Sequence, residues 1–387
     1  MLDSTKTLRI AFVSSYDPRN KRVWSGIPYY SAKALAEHCG EVDLLGPYPY
    51  SFLYQFFRGL SYLARKITGH RLDQYSVTLL SKLYGSYFTK KLKKGTYDLI
   101  FTASGSAEIA YLKTDIPIVI LADTTFANMI DYYPEYTNLL SISKKMAWKT
   151  ERKAFEKASL LLFSSEWAAN SAKEDYHIDP EKIYTIPLGA NLDSAPSHEK
   201  VLSKKKTDTS RLLSLAVNWE RKGGKIAFQT LLELKKRGIK TSLTVIGCVP
   251  PSDFHDPDLI VIPFLNKNKP DERVELEHQL LQADFLILPT RAECYGIVFA
   301  EASAYGLPII TTATGGIAGA VKEGVNGFML PLAAGGNVYA EKIAEIFNSD
   351  EQYYSMVANC RDLYEEKLNW NTWAAKLKEV CPVFQKT

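Results

Sequence analysis

The sequence predicts an α/β protein of two Rossmann-like, doubly wound domains facing each other across a cleft. Three observations carry this. The chain has 387 residues, the length of two ordinary domains. Short β-branched apolar runs alternate with helix-period stretches, the pattern of parallel sheets covered by crossover helices. That rhythm stops in a polar segment near the middle and then restarts.

In the first half, strands are expected at Leu8–Val13, Val42–Leu45, Leu99–Thr102, Ile118–Leu121, Leu160–Phe163 and Tyr184–Ile186. Tyr30–His38 and Ile142–Lys157 carry helical spacing between them. The second half repeats the pattern at Leu212–Val217, Leu243–Ile246, Leu259–Ile262, Phe285–Leu288 and Ile309–Thr311. Residues 192–210 hold a proline and no apolar period, so they read as a linker. The expected division is therefore a first domain at 1–191, this linker, a second domain at 211–368 and a C-terminal piece at 369–387. The last piece carries a helix at about Trp370–Val380, expected to cross back to the first domain.

Hydrophobic residues make up 46% and charged residues 23% of the chain, which excludes disorder, collagen and a coiled coil as the main organisation. No apolar run reaches the ~18–20 residues of a spanning helix. Leu8–Ser14 reads as a strand rather than a signal peptide. Five scattered cysteines, with neither CxxC nor metal-ligand spacing, read as reduced thiols of a cytoplasmic protein.

In a doubly wound sheet, ligands sit at the carboxyl ends of the strands, and three loops there carry chemistry. Pro289–Ala302 follows a strand, turns at Tyr295-Gly296 and becomes helical, offering free N–H groups to a phosphate. Glu293 and Glu301 flank that turn, and a carboxylate accepts two hydrogen bonds from a diol. The plainer alternative is a strand-to-helix connection with surface acids. Asn218–Gly224 places Arg221 and Lys222 beside two glycines, which suits a diphosphate or merely a basic turn. Thr314-Gly315-Gly316 allows close backbone approach or a tight turn. No Walker loop, GxGxxG or HExxH is present, which argues against nucleotidases, dinucleotide oxidoreductases and zinc hydrolases. Asp256-Pro-Asp258 matches a DxD metal motif formally, but it lies in a proline-rich loop, and no metal is expected.

Glu293-Cys-Tyr-Gly-Ile-Val-Phe-Ala-Glu301 resembles the E-x7-E motif of the retaining family-four glycosyltransferases of GT-B fold. Ala-Tyr-Gly-Leu-Pro-Ile-Ile, Thr-Gly-Gly-Ile and Glu323-Gly-Val-Asn-Gly-Phe328 resemble the same family's donor domain. The likeness covers Leu212–Leu330 specifically and the first half more loosely, through Trp24-Ser-Gly-Ile-Pro-Tyr29, Ser164-Ser-Glu-Trp167 and Pro187-Leu-Gly-Ala-Asn191.

The resemblance implies a nucleotide-sugar donor, of UDP or GDP type, as a substrate and no cofactor. By it, Lys222 and the amides of Gly296, Ile297 and Val298 would hold the diphosphate, and Glu301 the ribose. Glu293 would contact the transferred sugar, and Gly26 would let the first domain close over the diphosphate. Phe264, Leu265 and Asn266 would lie beside the nucleobase. Two positions depart from the family. Val217 stands where an arginine is usual, with Arg221 the expected substitute. Asp123, in Ala122-Asp123-Thr124, stands where a histidine is common, and would hydrogen-bond the donor sugar or the acceptor. His177, His198, His255 and His278 look like loop or surface positions. The expected activity is glycosyl transfer to a glycan or lipid-linked acceptor in envelope or polysaccharide synthesis. The alternatives are a nucleotide-sugar epimerase or hydrolase and a non-catalytic scaffold that binds nucleotide sugar.

Net charge is +4, yet Ser51–Gly95 holds nine basic residues against a single acid, Asp73. Within it Phe52, Leu53, Phe56, Phe57, Leu60, Leu63, Ala64 and Ile67 follow helical spacing, with Arg58, Arg65 and Lys66 on another side. Phe52–Lys66 reads either as a crossover helix packed on its own sheet or as a basic amphipathic helix lying on an anionic membrane. Nucleic-acid binding is not expected, because no recognition module accompanies the charge.

Overall fold

The computed structural model describes residues 7–49, 51–73 and 77–385, with Ser51 and Tyr54 described by backbone alone. The chain divides into two units, 1–187 with 373–387, and 188–372.

The first unit is built on six strands: β1 (Arg9–Phe12), β2 (Glu41–Leu44), β3 (Leu99–Ala103), β4 (Ile118–Ala122), β5 (Leu160–Phe163) and β6 (Ile183–Thr185). They pair in parallel in the order β2-β1-β3-β4-β5-β6. The central strands β3, β4 and β5 are apolar at nearly every position, as burial on both faces requires. One face packs Ile100, Ile120 and Leu161 against Phe88, Phe155 and Tyr176 from flanking segments. The helix Trp370–Val380 starts in the second unit and continues in the first, where Trp373 meets Phe101 edge-on at 5.9 Å.

The second unit repeats the plan with β7 (Ser210–Leu215), β8 (Thr241–Ile246), β9 (Leu259–Ile262), β10 (Phe285–Leu288), β11 (Ile309–Thr312) and β12 (Gly327–Leu330). Their order is β12-β11-β10-β7-β8-β9, again all parallel. Leu212, Leu243, Phe285 and Ile310 pack under Phe228, Leu231, Tyr339 and Tyr353. The two sheets are the Rossmann-like pair that the alternating pattern predicted. The edge strand β12 is an addition: it is four residues long and opens on a glycine, so no apolar alternation announced it.

The polar stretch 192–210, expected as a linker, lies inside the second unit, whose boundary falls at Pro187/Leu188. Ser197 caps a short helix, His198–Leu202, by accepting from the Lys200 amide. Its Val201 is buried in the second core. A single inward residue anchors the segment, and one residue makes no period.

The helix Ser51–Thr68 resolves the two readings of the basic segment in part. Leu53, Phe57, Ser61 and Ala64 turn toward the domain, with Phe57 buried and the Ser61 hydroxyl bonded to the Leu72 carbonyl at 2.7 Å. Phe52, Phe56, Leu60, Leu63 and Ile67 recur at steps of four and three on an adjoining stripe and face solvent, Phe52 at 64% and Ile67 at 74% exposure. The apolar arc is wider than the surface the domain offers to cover it. No described helix is long and apolar enough to cross a membrane.

Candidate functional site

At the carboxyl edge of the second sheet, the loops after β7 and β10 are sewn together. The Arg291 amide donates to the Arg221 carbonyl at 2.7 Å, and the Thr290 hydroxyl lies 3.1 Å from the same oxygen. Gly223 makes this approach possible. Its backbone is left-handed (φ 72°), and a Cβ there would stand 1.9 Å from the Pro289 carbonyl oxygen. The loop after β11 joins through the Gly316 amide, which donates to the Glu293 carbonyl at 3.2 Å.

This stitching sets the charged groups. Lys222 and Glu293 are both buried, and the Lys222 ammonium donates to Glu293 Oε2. Arg221 Nη1 donates to the Ala292 carbonyl at 3.0 Å and lies 3.7 Å from the same carboxylate oxygen. The Arg221 and Lys222 side chains therefore converge on one carboxylate oxygen. Gly296 begins the helix Ile297–Ala304 from a left-handed turn (φ 80°), with no side-chain cap on the helix start. Tyr295, just ahead, is buried and donates its hydroxyl to the Leu188 carbonyl at 2.9 Å, and burial raises its phenol. The start of the helix is thereby fixed in place.

Glu301 lies in the second turn of that helix at 2% exposure, and Lys267 reaches it at 2.6 Å. Lys267 directly follows Phe264-Leu265-Asn266, so this ion pair ties the loop after β9 to the helix. Phe264 is exposed, and the Asn266 amide is held by Glu272 at 2.6 Å. The structure thus gathers Arg221, Lys222, Glu293, Gly296–Val298, Glu301 and Phe264–Asn266 along one sheet edge. Lys267 is an addition. Its position beside the expected nucleobase loop was the available signal, but only the fold reveals its partner.

Asp256 and Asp258 sit elsewhere in this unit, and Lys235 takes both, at 2.8 and 2.6 Å. The Lys235 ammonium thus bridges the two carboxylates. Among the described residues, His198, Asp362 and Glu365 have metal-ligand spacing. They are largely exposed, and Glu365 is engaged by Arg361 at 2.8 Å.

On the first unit, Gly26 follows β1 and Asp123 follows β4. Trp24, Ser25 and Gly26 are consecutively left-handed (φ 47°, 54° and 92°), an unusual run for non-glycine residues. Glu108, in the short helix Ser106–Ile109 after β3, is buried and accepts the Ser15 amide at 3.0 Å; burial raises its carboxyl. Asp123 is half-buried at the mouth of a loop that Thr125 closes by capping the Asn128 amide at 3.2 Å. Glu151 also holds that loop, from a helix of the same unit, accepting the Phe126 amide at 2.7 Å.

Two family descriptions match the chain. Glycosyltransferase Family 4 covers residues 29–194, and Glycosyl transferases group 1 covers residues 199–363. The D-inositol 3-phosphate glycosyltransferase of Corynebacterium glutamicum (strain R) is 23% identical over 316 residues, spanning 76% of this chain and 73% of its own. A glycosyltransferase from Rickettsia africae ESF-5 superposes with a TM-score of 0.65 at 15% identity, covering 99% of this chain and all of that one. The Anabaena protein HepE, solved with UDP and glucose, gives 0.62 at 15% identity over 97% of this chain and 99% of its own. Matched along both units, with two six-stranded parallel sheets of GT-B kind, the chain belongs to the family-four glycosyltransferases.

Proposed function

We propose that this glycosyltransferase takes a sugar from a nucleoside diphosphate, of UDP or GDP type, and transfers it with retained configuration and without a metal. The observation that carries this reading is the convergence of Arg221 and Lys222 on Glu293 beside the uncapped helix start at Gly296. Departure of the nucleoside diphosphate develops negative charge on its phosphate oxygens. Two fixed cations and the amides of Gly296, Ile297 and Val298 meet that charge in a largely buried setting, where it counts most. In the free protein Glu293 holds Lys222; with donor bound, its carboxylate turns to hydroxyls of the transferred sugar. Glu301 takes the ribose diol, and the Phe264–Asn266 loop, tied to Glu301 by Lys267, lies along the base. Gly26 and Asp123 serve from the first unit. Gly26 lets backbone approach the diphosphate, and Asp123 binds the donor sugar or the acceptor. The acceptor attacks the face the leaving group departs from, and a leaving phosphate oxygen takes its proton. HepE, crystallised with UDP and glucose, is consistent with such a donor.

UDP or GDP should raise the melting temperature of the protein in EDTA, and release of the same nucleotide from its sugar should require an acceptor and persist with chelator. Turnover that vanishes in EDTA and returns with manganese overturns metal independence. Nucleotide release at full rate without acceptor overturns transfer in favour of hydrolysis.

We further infer that the acceptor is a glycan or lipid-linked sugar of envelope or polysaccharide synthesis, met at the cytoplasmic face of a membrane. The uncovered stripe Phe52–Ile67 and the neighbouring Arg58, Arg65 and Lys66 support this. An apolar face flanked by cations suits an anionic bilayer surface. The protein should float with vesicles containing phosphatidylglycerol and stay behind with vesicles of phosphatidylcholine alone. Each cation near such a surface contributes about 1 kcal/mol, so Arg58→Glu, Arg65→Glu and Lys66→Glu together should weaken binding by about 100-fold or more. Wild-type protein that ignores anionic vesicles at low salt overturns the membrane reading and leaves the stripe to a soluble partner.

A further inference from the structure

Behind the loop that carries Asp123 lies a polar node inside an otherwise apolar layer. Glu151 sits in the middle of the helix Ser141–Lys157. Its Oε2 accepts the Phe126 amide at 2.7 Å and the hydroxyl of Tyr176. That hydroxyl in turn accepts the Ala127 amide at 3.1 Å. Two consecutive backbone N–H groups, three and four residues past Asp123, thus end on one carboxylate–phenol pair. The neighbouring Thr125 hydroxyl pairs with Ser171 at 2.6 Å, and Ser171 pairs with Asp175 at 2.6 Å. Asn128 closes the loop from the other end, donating its side-chain amide to the Trp167 carbonyl at 3.1 Å. A helix that only packs on a sheet needs no carboxylate turned to a neighbouring loop; this one holds the Phe126 amide with Glu151, which is half-buried.

We propose that Glu151 is a positioning residue for glycosyl transfer: in its ionised form, through the Phe126 and Ala127 amides and Tyr176, it fixes the loop that presents Asp123. The inference rests on the reading of Asp123 given above and deepens it. The carboxylate accepts from both Phe126 and Tyr176. A proton on Oε2 would turn the bond to Tyr176 around and slacken the hold on the loop. Burial pushes the Glu151 carboxyl up to about 7, Tyr176 and the Phe126 amide draw it down, and Asp73 raises it. Asp175 acts on Tyr176 from behind. The change of state therefore falls within the working pH range of an enzyme.

The fold supplies its own reporter. Trp148 stacks on the Tyr176 ring at 5.7 Å between centroids with 19° between planes. Tryptophan fluorescence of the full chain should show a transition near pH 7. It should be absent in Glu151→Gln and in Trp148→Phe, and moved to higher pH in Tyr176→Phe, which removes a bond that favours the carboxylate. Turnover, measured with UDP-glucose or whichever nucleotide sugar the melting experiment selects, should show the same acid limb in kcat. Glu151→Gln should abolish the limb and lower kcat at pH 8 on the order of 10- to 100-fold, the size of effect that a small misplacement produces. KM for the donor should change far less than kcat, because the residues assigned to the diphosphate charge and the ribose, Arg221, Lys222 and Glu301, lie in the other unit. Trp148→Phe should retain the limb.

If Glu151→Gln and Tyr176→Phe keep both the fluorescence transition and the kcat limb at the wild-type midpoint, the proposal is overturned, and the node is packing alone. Asp123→Asn separates the two readings. Full activity in Asp123→Asn, together with loss of the limb in Glu151→Gln, sinks the role of Asp123 but leaves Glu151 positioning another group of the loop. An inactive Asp123→Asn with an unmoved Glu151→Gln profile does the reverse.

Discussion

Lys222→Ala is expected to weaken binding of a nucleoside diphosphate about 10- to 150-fold while leaving the free nucleoside almost untouched. The lost interaction is a charge-assisted hydrogen bond, which contributes about 1.5–3 kcal/mol. Turnover should fall further, about 100- to 1,000-fold, because the cation does most when the leaving group carries its full charge. The same change leaves Glu293 buried beside Arg221 at 3.7 Å without its closer partner. Breaking a buried pair from one side costs about 3–5 kcal/mol, so a lower urea midpoint should accompany the loss of binding. Calorimetry with UDP and uridine, or GDP and guanosine, reads the first effect at a temperature where the variant stays folded. Equal losses for nucleotide and nucleoside would remove Lys222 from the diphosphate site.

The second large effect is on stability and lies in the other unit. Glu151 is held at about 7 by burial, against an ordinary 4.5. A carboxyl raised in the folded state binds its proton more tightly folded than unfolded. Its contribution is therefore fully present below about pH 4.5 and is lost as pH rises through 7. The shift corresponds to about 3 kcal/mol. Wild-type protein should thus lose about 3 kcal/mol relative to Glu151→Gln between pH 4.5 and 8, whichever variant is the more stable at the start. Glu108 acts in the same direction but is common to both proteins, so it cancels in the difference. Urea unfolding at a series of pH values gives the comparison; parallel curves would show that Glu151 does not titrate in this window.

Which parts of this molecule the sequence announces depends on the range of the interaction. Strands buried on both faces are local apolar runs and stand out in the sequence; the part-buried edge strand β12 does not. Edge strands with a glycine lack that mark. Lys222 and Glu293 are 71 residues apart, yet both follow strands, and the rule that ligands gather at carboxyl ends places them on one edge. The pairing of Lys267 with Glu301 follows no such rule, because it depends on the path of an irregular loop. Glu151 is hidden for another reason. Its helix, Ser141–Lys157, is so rich in lysine and arginine that a mid-helix glutamate looks like one more surface charge. Only the fold brings the Phe126 amide and the Tyr176 hydroxyl to it. The basic helix is the intermediate case. Its apolar spacing is plain in sequence, but the fraction of the arc that the domain covers is a tertiary property.

The ion pair between Lys222 and Glu293 also bears on how the product leaves. A cation left bare in a dry site would hold a departing nucleoside diphosphate tightly and slow each cycle. Here the carboxylate that waits beside Lys222 and Arg221 is a resident counter-ion. On the proposed reading, Glu293 would return to Lys222 as the nucleotide moves out and neutralise the charge it vacates. Affinity for product is then the difference between two ion pairs rather than the whole worth of one. A donor that gave Glu293 sugar hydroxyls to hold would gain what the product lacks. Exchange of partners at one lysine would thus favour substrate entry over product retention, a gain wherever product release limits the rate.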